Sequence, residues 1–133
     1  MQTSLEMKVF RALSLVRAGS KPHSAWLDML EEIYPPEKLK GQAKHSCPKW
    51  AFSSLCHSGS IKGVAAGCCP ESEGKNSARL TLDALSQLRT TPSLSTNKPE
   101  LKRRVFGEKG MPGYRTPNDE VEVILCLWKE LTP

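Results

Sequence analysis

The residues best equipped for chemistry crowd into one stretch. His45 to Cys69, HSCPKWAFSSLCHSGSIKGVAAGCC, holds four of the chain's five cysteines and two of its three histidines. These types suit a metal centre, an activated thiol, or only a short helix and the turn that follows it. A structural zinc site takes thiolates in pairs such as C-x2-C, because two sulfurs about 2.3 Å from one ion must come from a tight turn. No such pair occurs here. On a helix opening at Pro48, Cys47 and Cys56 are separated by roughly 13 Å at about 1.5 Å per residue, too far to share one coordination sphere. The expectation is no metal and no cofactor, with Cys56 a small buried hydrophobe.

Cys47 is a separate case. It stands just before that helix start, near Lys49, where the positive helix end favours a thiolate, and it is the candidate reactive thiol. A thiol enzyme would also need an activating base and an oxyanion pocket, and none of His23, His45 or His57 sits in a signature that supplies them. Paired acids such as Glu31 with Glu32, or Glu120 with Glu122, read as solvated helix faces. Neither G-x-x-x-x-G-K-S nor G-x-G-x-x-G is present to cradle a phosphate. No catalytic residue is expected.

The elements that must position these residues are helices. Thr3 and Glu6 form a capping box for a first helix, whose stripe is Leu5, Val9, Phe10, Ala12, Leu13 and Val16, and which Gly19 ends. A second opens at Pro22 and runs to about Tyr34, burying Trp26, Leu27, Leu30 and Ile33, until Pro35 and Pro36 stop it. Residues 35–46 read as a lysine-rich loop. A helix from Pro48 carries Ala51, Phe52, Leu55 and Cys56; Gly59 terminates it, and Ile61 folds back on its end ahead of a short extended piece to Val64. Asn76 caps a fourth helix with the stripe Ala78, Leu82, Leu85 and Leu88. Pro99 opens a short fifth, with Leu101, Val105 and Phe106 inward, and Thr116 with Pro117 starts the last, which holds Val121, Ile124, Leu125, Trp128 and Leu131. The expected fold is all-α, one compact domain over 1–133 with five to six helices.

Composition narrows the function classes. At 133 residues, with 38% hydrophobic and 25% charged residues, the chain fits one globular domain, and no apolar run approaches the roughly 20 residues of a membrane span. Lys8, Arg11 and Arg17 interrupt any signal-peptide core at the start, so that segment is read as part of the fold. Five cysteines without a secretory leader imply reduced thiols in a cytoplasm. The net charge of +5 sits almost wholly in residues 35–69, where five lysines face one acidic residue. Such a block attracts nucleic acid or acidic proteins.

The nucleic-acid reading uses Lys44, Lys49 and Lys62 on a segment, 44–64, that resembles the reading helix of a winged helix-turn-helix protein handing over to its wing. Its preceding helix is expected about a dozen residues away, where that motif has three or four.

With these residues in place, CPKWAFSSLCHSGSIKGVAAG resembles the signature of a small bacterial family of unknown function, C-P-K-x-A-F, a second cysteine, then G-x-I-K-G; some members are carried on integron gene cassettes. The matching positions are Cys47, Pro48, Lys49, Ala51, Phe52, Leu55, Cys56, Gly59, Ile61, Lys62, Gly63, Val64 and Gly67. The resemblance implies a helical domain and a bacterial setting, and brings no activity, cofactor or catalytic residue. The resulting expectation is a cytoplasmic, non-enzymatic binding or accessory module with a protein partner. A DNA-binding helical protein is the alternative, and a homodimer using Trp26 and Trp128 is compatible with either.

Overall fold

The computed structural model of the chain describes residues 4–44 and 46–132. Ser4 opens α1 (Leu5–Arg17), its hydroxyl accepting the Met7 N–H at 3.1 Å, and so satisfies a donor the first turn would leave unpaired. Thr3, expected to be the cap, lies outside the described residues. Val9, Ala12 and Leu13 form the buried stripe, and Gly19, at φ +115°, turns the chain so that the Ser20 N–H reaches the Leu15 carbonyl at 3.0 Å. Pro22 occupies the first position of α2 (Pro22–Ile33), which buries Ala25, Trp26, Met29 and Leu30.

The loop expected over 35–46 is instead a helix, α3 (Pro36–Ala43). Pro35 does stop α2, but Pro36 sits at the first helical position, where a missing N–H costs nothing. Glu37, Lys38, Leu39 and Lys40 behind it are good helix formers. The connection to α4 (Cys47–His57) thus contains only residues 44 to 46.

α4 lies at the centre. It packs against α2, α5 (Asn76–Thr90) and α7 (Glu120–Cys126), and Ala51, Phe52, Leu55 and Cys56 have no exposed surface. At its end Gly59 adopts φ +74°, the Ser60 N–H returns to the Leu55 carbonyl, and Ile61 enters the core. The extended piece expected there is a single antiparallel bridge from Ile61 to Leu131, flanked by Lys62 N–H to Glu130 C=O and Thr132 N–H to Ser60 C=O, both at 2.8 Å. The last residues are thereby clipped onto the turn after α4.

α5 starts one residue earlier than expected, with Lys75 as cap and Asn76 already helical. It packs on α4, α6 (Lys98–Phe106) and α7, so its buried arc is wide: Ala78, Leu80, Thr81, Ala84, Leu85 and Leu88. Leu82 falls outside that arc and is exposed, which corrects the expected stripe. Asn97 caps α6, and Gly107 at φ +87° ends it. α7 begins at Glu120, not at Pro117: residues up to 118 stay non-helical, and the first helical bond runs from the Val123 N–H to the Asp119 carbonyl. Short 3-10 turns at Pro70–Ser72, Pro92–Thr96 and Trp128–Glu130 complete an all-α architecture of seven helices among the described residues, sharing one hydrophobic core.

Candidate functional site

Among the described residues the thiols and imidazoles do not form one group: Cys56, His57, Cys68 and Cys69 lie near one another at one end of α4, and Cys47 is at the other. Cys47 is the first residue of α4 and half-buried, while Cys56 is next to its last, so helix geometry holds them about 13 Å apart. Cys56 is fully buried, and burial first, then the neighbouring Cys68 and Cys69, push its thiol well above the usual range. Burial is also the leading cause of the raised values at Cys68 and Cys69. The Cys69 thiol donates to Glu71 Oε2 at 3.1 Å, which favours the carboxylate and opposes the thiolate. Among the described residues, no three His, Cys, Asp or Glu side chains converge as metal ligands would. His45 lies outside the described residues.

His57 serves as a clip. A backbone N–H can only donate, so the Cys69 N–H bond to His57 Nδ1, at 3.1 Å, places the imidazole proton on Nε2, which donates to Glu73 Oε1 at 2.9 Å. Together with the Gly67 N–H to His57 carbonyl bond at 2.8 Å, this fastens the glycine-rich loop to the end of α4. His57→Ala is therefore expected to cost about 1–3 kcal/mol, because the Cys69 N–H loses its acceptor, and to speed labelling of the Cys69 thiol. Urea denaturation checks the first effect and a thiol reagent the second.

A different set of residues does converge, around Trp50. The Lys49 ammonium lies 4.6 Å from the centre of the Trp50 ring and that of Lys75 4.8 Å, while the His23 ring stacks on it at 5.4 Å and 28°. Each comes from a helix start: His23 is the second residue of α2, Lys49 and Trp50 are in the first turn of α4, and Lys75 caps α5. None of these three starts has a side-chain cap, so all three positive helix ends add to the local charge. Among the described residues, neither Lys49 nor Lys75 has a carboxylate within 4.0 Å. Burial first, and then Lys75, lower the Lys49 pKa; burial first, and then Lys49, lower that of His23, whose Nδ1 is buried without a partner among the described residues.

Of the lysines picked out from sequence, Lys49 is in this cluster, and Lys44 is exposed on the turn leading into the same end of α4. Lys62 is elsewhere. It follows the far end of α4, its ammonium near the Lys129 carbonyl at 3.4 Å and its own carbonyl accepting from Arg17. The α3 to α4 connection has the length of a helix-turn-helix turn, but every residue of α4 is buried or half-buried, so no side of that helix stands clear of the fold. Trp50, His23 and Lys75 escaped the sequence reading because they lie on three helices, and nothing local shows that they meet.

A family model described as "Family of unknown function (DUF6979)" matches residues 6–132. No curated protein and no solved structure matches the chain. The match spans nearly the whole sequence, and the chain belongs to this family.

Proposed function

We propose that this member of the DUF6979 family is a non-enzymatic binding module that grips the phosphate backbone of nucleic acid at the basic face around Trp50. The observation that carries the reading is the pair of ammonium groups held on one indole ring with no carboxylate within 4.0 Å of either among the described residues. Cation–π contact fixes each ammonium for about 0.5–1 kcal/mol, while like charges and helix ends crowded together repel. A phosphate oxyanion placed there relieves that repulsion. Lys21 and Lys44, both exposed beside the starts of α2 and α4, extend the face to four lysines.

Because α4 offers no exposed side, contacts fall on phosphate and not on base edges, so binding tolerates sequence. Raised thiol pKa values at Cys56, Cys68, Cys69 and Cys126 favour the unreactive thiol form, and both His57 nitrogens are engaged, which supports a role without chemistry. No described helix is long and apolar enough to cross a membrane. A reduced bacterial cytoplasm, and for some relatives an integron cassette, belong to this reading through the free cysteines and the signature from Cys47 to Gly67.

The test is fluorescence anisotropy with labelled oligonucleotides of unrelated sequence, single-stranded and duplex. Binding is expected at low salt with similar affinity across sequences, falling roughly 60- to 250-fold between about 50 and 200 mM salt. No binding at about 50 mM salt would end the proposal.

A further inference from the structure

α1 leaves two large apolar side chains in water on one face, Met7 at 47% and Phe10 at 38% exposure, three residues apart and so neighbours on the helix. Phe10 forms one wall of an open groove of about 720 Å³ between α1 and α7 with the turn after it; Leu5, Leu125, Cys126 and Trp128 supply its other apolar surface. Two charges on the rim stand alone. Glu6, on the α1 side, has no cation within 4.0 Å among the described residues, and Lys129, on the opposite side, has no carboxylate. The remaining rim charges are already paired, Glu122 with Lys98 and Lys102, and Glu130 with Arg17.

We infer that the occupant of this groove is a second copy of the chain, joined by a two-fold axis. A two-fold contact requires a patch that complements itself, each group meeting its counterpart reciprocally. This patch carries both a ridge and a groove, and both an unpaired acid and an unpaired base. Two copies facing each other place Met7 and Phe10 of one in the groove of the other and bring Glu6 of each to Lys129 of its partner. A strongly acidic partner is drawn instead to the lysines around Trp50, and a strongly basic one meets Lys98 and Lys129. The patch is also balanced in charge, so two chains that each carry +5 approach there without their net repulsion concentrated at the contact. Trp26, considered for such a contact from sequence, is in the core at 2% exposure, which leaves Trp128 as the tryptophan of the interface.

Sedimentation equilibrium across micromolar concentrations tests this directly. The expected result is a mass rising from the 14.7 kDa monomer to twice that value, with thiol labelling of Cys126 slowing over the same range. Phe10→Asp is expected to weaken the association at least about tenfold, and to abolish the concentration dependence of Cys126 labelling. Glu6→Lys alone is expected to weaken it, and Glu6→Lys combined with Lys129→Glu to restore it, a rescue that a mere folding defect does not give. A monomer at every concentration overturns the inference. So does a dimer that withstands Phe10→Asp while Cys126 labels at a constant rate, because association then lies elsewhere.

Discussion

Phe52→Ala is expected to lower the free energy of unfolding by about 3–5 kcal/mol, a large part of the roughly 5–15 kcal/mol a domain of this kind possesses. Phe52 has no exposed surface, and its ring meets that of Trp26 at 5.7 Å and 39°, a tilted aromatic pair. It lies midway along α4, which packs against α2, α5 and α7. Removing the ring leaves a cavity beside Trp26 in the middle of a helix packed against α2, α5 and α7. None of them can move in to fill it without losing its own contacts, so the cost belongs at the upper end of large-to-small substitutions. Urea denaturation should show a lower midpoint with an unchanged slope, the mark of lost stability in an unaltered fold. A loss below about 1 kcal/mol would mean that α4 is not the centre of the core.

Gly59→Val is expected to cost about 2–4 kcal/mol through two separate effects. At φ +74° a β-branched residue is strained, and a Cβ added there would meet the Ala66 Cβ at 3.0 Å. The strain is not local in its consequence. Gly59 directs Ile61 into the core and onto Leu131, so a misplaced turn also releases the end of the chain. Gly41 gives the contrast: it is helical, a Cβ there meets nothing within 4 Å, and Gly41→Ala should stabilise by about 0.5–1 kcal/mol. Equal effects at the two glycines would refute this account of the turn.

Where proline and glycine mark helix boundaries without ambiguity, the architecture is legible in the sequence. Pro22, Gly19, Gly59 and Gly107 all do what their chemistry predicts, since each meets a requirement internal to its own segment. The misreadings share a cause. Pro35 and Pro36 look alike in sequence, yet the first ends one helix and the second begins another, a choice that depends on whether the following segment has something to pack against. Leu39 does, being half-buried against the core. Leu82 and Thr116 with Pro117 mislead similarly, because the width of the buried arc on α5 and the start of α7 are set by neighbouring helices. The candidate site was only partly legible. Lys49 and Lys44 stand out in a basic block, but their grouping with His23, Trp50 and Lys75 joins the starts of three helices. The dense cysteine stretch drew attention for its residue types, whereas its structural use is the His57 clip.

The basic face around Trp50 is tested most directly by the salt dependence of duplex binding, compared between the natural chain and Lys49→Gln/Lys75→Gln. Four lysines on phosphate give a slope of log affinity against log salt of about −3 to −4, and removing two of them should reduce it by about 2, equally for unrelated sequences. The same slope in both proteins would place the contacts away from Trp50 and contradict the assignment.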